Sequence, residues 1–101
     1  MTSQEALESV ARGMVAAGVY KNEEAAIKAM AIEQIERKIT TYRQQVQSFE
    51  RKYQQPLDEH SRGLQGKATM GDEEEWMDWK SAVVMLEAWQ KALQEVLASA
   101  A

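Results

Sequence analysis

The chain is predicted to be all-α, and three observations carry that expectation. Helix formers dominate: 15 Ala and 10 Gln accompany Glu, Lys and Met, against one Pro and five Gly. Apolar residues recur at spacings of three and four over two long stretches, the period of a helix face. Large apolar residues (Ile, Leu, Val, Met and the aromatics) number only 30 of 101, so the object should be slender, with a core that a second chain completes. At 11.4 kDa it forms a single domain over residues 1–101.

The first helix is expected over residues 3–17. Thr2-Ser3-Gln4-Glu5 reads as a capping box, and Leu7, Val10, Ala11, Met14, Val15 and Ala17 make one apolar face. Gly18 suits the left-handed position past its end, with Val19 closing onto Met14. Gly13 weakens this helix or admits another backbone closely.

Asn22 is the expected cap of a second helix over residues 23–54, with Glu23 and Glu24 at the positive end of its dipole. Its seam is Ile32, Ile35, Ile39, Tyr42, Val46, Phe49 and Tyr53, alternating threes and fours in the manner of a coiled coil. A connector follows over 55–71. Pro56 opens one short helix through Leu57, His60, Ser61 and Leu64, ended by Gly63 or Gly66, and residues 65–71 read as a mobile turn.

A third long helix is expected over residues 72–98, capped by Asp72 with Glu75 reaching back. Its seam is Trp76, Trp79, Val83, Leu86, Trp89, Leu93 and Val96. Val84, Met85 and Leu97 widen the apolar face beyond what one partner helix covers. The expected architecture is therefore a short N-terminal helix plus a long antiparallel helical hairpin, dimerising into a helical bundle. Ser99-Ala100-Ala101 should fray.

Composition also excludes several functions. Without cysteine there are no disulfides, thiolate metal sites or cysteine nucleophiles. No apolar run reaches membrane-spanning length. Thr2-Ser3-Gln4-Glu5 lacks the basic, apolar start of a signal peptide, so the expected location is cytoplasmic. The net charge of -4 is uneven: residues 1–54 hold 8 Lys+Arg against 7 Asp+Glu, and residues 55–101 hold 4 against 9. Nucleic acid is not an expected partner of the acidic half.

Chemistry-bearing clusters are few. Asp72, Glu73, Glu74, Glu75 and Asp78 lack the Glu-x-x-His pairs of helical metal sites and read as dipole compensation. His60, the one imidazole, has only sequence neighbours Asp58, Glu59 and Ser61, and reads as a surface histidine in a connector. No Gly-rich phosphate loop is present. Neither a cofactor nor a metal is expected, and the chain reads as non-enzymatic. The tryptophans read first as core, packed on Tyr42, Phe49 and Tyr53, and second as anchors for a partner. The candidate partner or dimer interface is Trp76, Trp79, Met85, Trp89, Leu93 and Val96.

Residues 15–30 carry a resemblance. Gly18, Tyr20, Asn22, Glu24, Ile27 and Ala29 fall where small prokaryotic antitoxins of the ribbon-helix-helix kind place a Gly-apolar-Tyr helix end, a capping residue, Glu and a second amphipathic helix. That family reads DNA with an N-terminal strand. Here residues 1–6 read as a helix start, so the resemblance implies partner binding rather than DNA reading. The implied function is an antitoxin-like module that neutralises a small basic toxin by covering it. The alternative is a self-associating hairpin, structural or adaptor in role, with no toxin. A more distant reading is a DNA-binding regulator using Arg12, Lys21 and Lys28.

Overall fold

The computed structural model describes residues 1–99. Four helices follow in order: α1 Ser3–Ala16, α2 Glu23–Tyr53, α3 Leu57–Leu64 and α4 Met70–Ala98. No strand occurs among the described residues. The expected fraying at Ala100 and Ala101 falls outside them.

Two long helices make the frame. α2 and α4 run antiparallel, which their end contacts establish. The Lys28 ammonium, near the start of α2, donates to the Ser99 carbonyl at the end of α4 (3.1 Å). At the other end, Lys52 pairs with Glu75. At 31 and 29 residues, each helix is about 45 Å long. The chain measures 60 × 28 × 19 Å with a radius of gyration of 19.3 Å, against about 13 Å for a compact domain of this length. α1 packs on α2, and α3 packs on α4.

The core is correspondingly thin. Ala11, Ala26, Ile35, Ile39, Trp79 and Ala82 are buried, and only three of these side chains are large. Ile35 and Ile39 come from the expected α2 seam and Trp79 from the expected α4 seam. Ala26 and Ala82 sit where their small size lets neighbouring helices close.

The caps explain the boundaries. Thr2 Oγ1 accepts from the Glu5 backbone N–H (3.0 Å), the Thr2 half of the expected capping box. α1 ends at Ala16, where Gly18 takes φ +80° and the Val19 N–H donates to the Met14 carbonyl (2.9 Å). This Schellman closure needs a left-handed residue, and glycine adopts that conformation without strain. Gly13 admits no close neighbour: a Cβ there would meet nothing within 4 Å. Asn22 Oδ1 accepts from the Ala25 N–H (2.8 Å) and starts α2.

α4 begins earlier than expected. Thr69, not Asp72, is its N-cap, and the two form a reciprocal capping box. Thr69 Oγ1 accepts from the Asp72 N–H (3.2 Å), while the Thr69 N–H donates to the Asp72 carboxylate (3.0 Å). Thr satisfies the cap geometry three residues before an acidic residue, so the helix gains Met70 and Gly71 from the expected turn. The connector between the two long helices thus spans residues 54–69, with α3 filling two turns of it and residues 65–69 left as the turn before α4. The expected role of Glu75 in that cap is replaced by a tertiary one, described next.

Candidate functional site

Where α2 ends and α4 begins, four rings converge. Trp79, 1% exposed, stacks on Phe49 (5.5 Å between centroids, 11° between planes) and on Tyr53 (5.7 Å, 10°). His60 from α3 tilts against Tyr53 at 4.0 Å and Trp79 at 5.2 Å. His60 is therefore not a surface histidine, as its polar sequence surroundings suggest. It is 8% exposed, because α3 folds back and turns this one position towards the hairpin. Its Nδ1 lies 3.1 Å from Gln55 Nε2, so the imidazole has a partner and is packed on two aromatic faces.

A polar fastening closes the outside of this junction. The Tyr53 hydroxyl donates to Glu75 (2.5 Å), and Lys52 donates to the other carboxylate oxygen. These bonds hold the Glu75 carboxyl below the usual carboxylate range, the Lys52 contact being the larger cause. The same bonds to Glu75 raise Lys52 and Tyr53 above their ordinary values. Asp72 is lowered by its hydrogen bonds to Thr69, the backbone N–H first.

Beside the junction, α3 and α4 enclose a groove of about 530 Å³. It is lined by Ser61, Leu64, Gln65, Gly66, Ala68, Glu73, Trp76 and Met77. The Trp76 indole N–H donates to Ser61 Oγ (2.5 Å), and Ser61 in turn donates to the Leu57 carbonyl (2.8 Å). The Lys80 ammonium lies 5.2 Å from the Trp76 ring centroid, a cation–π contact. Two further shallow clefts along the hairpin are lined mainly by polar residues such as Glu36, Thr40, Arg43, Gln44 and Gln45.

The six residues proposed from sequence as an interface divide into three groups. Trp79 is enclosed by the chain's own aromatics and presents no surface, which is the core role the sequence also offered. Trp76 is half-buried and forms a groove wall. Met85, Trp89, Leu93 and Val96 are all half-buried. With Ala92, three of them make a stripe along one flank of α4: Met85, Trp89, Ala92 and Val96, spaced 4, 3 and 4. The indole N–H groups of Trp79 and Trp89 are enclosed without a hydrogen-bond partner.

Sequence reading did not find the groove, nor the use of His60 and Ser61. The available signal was the pairing of Leu57, Ser61 and Leu64 at helical spacing just after Pro56, which puts Ser61 on the apolar side of α3. Among the described residues, no group of three or more His, Asp or Glu converges in a way that could hold a metal ion, and no helix is long and apolar enough to cross a membrane. No protein-family model, curated protein or solved structure matches the chain.

Proposed function

We propose that this protein is a non-enzymatic, cytoplasmic interaction module that acts by binding, in the manner of the antitoxin half of a prokaryotic toxin–antitoxin pair. The observation that carries this reading is the surface the chain leaves uncovered. Its accessible area is 7395 Å², against about 5,800 Å² for a compact monomer of this mass. The excess, about 1,600 Å² on one chain, is roughly twice the 800 Å² or so that each partner contributes to a standard protein–protein interface. Exposed apolar side chains occupy both α1 (Leu7, Val10) and α4 (Met70, Met77, Val84, Leu97).

The groups that would serve catalysis are otherwise engaged. His60 is stacked on two rings and shares its Nδ1 with Gln55, and Ser61 is bonded to Trp76 and Leu57. A general base or nucleophile needs a free approach to a reacting atom. The turn at Gly18, Tyr20 and Asn22, on which the antitoxin resemblance rests, joins α1 to α2 and leaves α4 for partner contact.

The alternative is a self-associating adaptor, favoured by the half-buried stripe Met85, Trp89, Ala92 and Val96. Co-expression with the products of neighbouring genes distinguishes the two. The antitoxin-like reading expects one small basic protein that arrests growth alone, is neutralised by this chain and co-purifies with it. Absence of any such complex, together with a stable homo-oligomer, favours the adaptor.

A further inference from the structure

We infer that the groove between α3 and α4, with the outer strip of α4 that continues it, docks a basic amphipathic helix of a partner protein. This inference rests on the interaction reading above and names the surface and the chemistry of its occupant. The groove has apolar lining supplied by Leu64, Ala68, Trp76 and Met77. One wall is fixed in advance, because Ser61 holds the Trp76 indole, and a preorganised wall lowers the entropy lost on binding. Met77 is the adaptable element, 62% exposed, with an unbranched thioether that moulds to different apolar anchors.

The strip selects a helix. Met70 (78% exposed), Met77 and Val84 (52% exposed) follow one another at seven-residue spacing on the outer face of α4. Positions one heptad apart share one helix face, so these three side chains offer a row of anchors on which a second helix can lay an apolar stripe. Among the described residues nothing covers this row.

Charge selects a basic one. Residues 57–80 hold seven Asp and Glu against three Lys and Arg. Glu73 lines the groove, and Glu74 and Asp78 are exposed on the far side of Met77. Among the described residues none of these three pairs with a cation; the ion pairs are Arg37–Glu33 and Lys52–Glu75. The Trp76 face already receives one cation, the Lys80 ammonium, so a partner Arg or Lys finds a surface of the same kind beside unpaired carboxylates. A second copy of this chain pairing through the same segment would bring like charge to the strip, and an anionic membrane would be repelled likewise.

The test uses the full chain and two synthetic helical peptides with one apolar face, a Leu/Lys peptide and its Leu/Glu counterpart. Calorimetry and tryptophan fluorescence follow binding at physiological salt. The Leu/Lys peptide is expected to saturate at one per chain and to bind at least about tenfold tighter than the Leu/Glu peptide, weakening as salt rises. Glu73→Lys and Met77→Gln are expected to weaken it about tenfold each, Lys80→Gln to leave it equal or tighter, and Leu7→Gln with Val10→Gln on α1 to leave it unchanged. The substituted side chains are exposed, and melting curves matching the parent establish that each variant is folded. Equal affinity for the two peptides, no binding, or sensitivity to the α1 variants instead of the groove variants overturns the inference. A chain that captures a protein partner through α1 while ignoring the Leu/Lys peptide keeps the interaction reading and loses the groove. A chain that forms no complex by either route loses both.

Discussion

Tyr53, the last residue of α2, and Trp79, in the third turn of α4, stack nearly parallel, 5.7 Å apart and 10° between planes. Phe49 continues the stack on α2, and His60 closes it from α3. Tyr53, His60 and Trp79, one from each helix of this junction, are thus in mutual ring contact, and Trp79 is the ring of the four that touches all three others. Trp79→Ala is expected to cost about 3–5 kcal/mol, a large part of the stability of a chain this size. Trp79→Phe keeps the stacking and removes an enclosed N–H with no partner, so its loss should be less than half as large. Urea unfolding of both variants checks the order; equal losses would mean that packing at Trp79 does not hold the junction.

Ile39 lies mid-seam at the middle of α2, 6% exposed. Ile39→Asp replaces a buried apolar side chain of the α2–α4 seam by a carboxylate, and is expected to cost several kcal/mol. Circular dichroism should show a lowered melting point, and a variant as stable as the parent would contradict the α2–α4 packing.

Two backbone positions allow gains. Gly13 sits inside α1 with open space around its missing Cβ, so Gly13→Ala should stabilise by about 0.5–1 kcal/mol. Gln54, which caps α2, holds φ 52°, ψ 38°, a left-handed conformation costing a side-chain-bearing residue about 1 kcal/mol. Gln54→Gly is expected to recover part of it, whereas Gly18→Ala, at φ +80°, should lose a similar amount. Thermal melts of the three variants test the signs.

The helices were legible in sequence because their signals are local. Thr2, Asn22 and Gly18 act within one turn of their positions, and the spacing from Ile32 to Tyr53 states which face of α2 is apolar. The start of α4 was less legible, since Thr69 and Asp72 both make acceptable caps and only the three-residue relation between them decides. The site was least legible. His60 reads as exposed from Asp58 and Glu59 beside it, and its burial depends on α3 folding back over Tyr53 and Trp79. Glu75 is one of four consecutive acids, and nothing local separates it from its neighbours. Its reach to Lys52 and Tyr53 follows only from the antiparallel register of α2 and α4.

That register gives the chain an acid-sensitive end. The Glu75 and Asp72 carboxyls are both held below the ordinary range in the folded chain. A lowered native pKa stabilises the fold above the unfolded pKa, and the contribution disappears as pH falls through the native value. Melting temperature should therefore be flat above about pH 5 and fall below about pH 4. Glu75→Gln should melt lower than the parent at neutral pH, and the gap should narrow as the acid limb is descended. A gap that stays constant down to the lowest pH would mean that Glu75 does not act through its charge. At the alkaline end the sign reverses: Lys52 and Tyr53 are raised, so their contribution is present below their ordinary values and is lost as pH rises through the raised ones.

Association is the remaining expectation, and it follows from how little the chain buries. Ile35, Ile39 and Trp79 are its only large buried apolar side chains among the described residues. On one flank of α4, Met85, Trp89, Ala92 and Val96 stand half-buried at coiled-coil spacing. Completing the burial of a large apolar side chain contributes up to roughly 1.5–3 kcal/mol, so covering Met85, Trp89 and Val96 supplies several kcal/mol towards the entropy lost on pairing. Light scattering at micromolar concentration is expected to give a multiple of 11.4 kDa, and Trp89→Lys with Val96→Lys should return the chain to monomer by placing charge in the stripe. A parent mass of 11.4 kDa would show that no second copy covers the flank, leaving the outer strip of α4 as the surface available to a different partner.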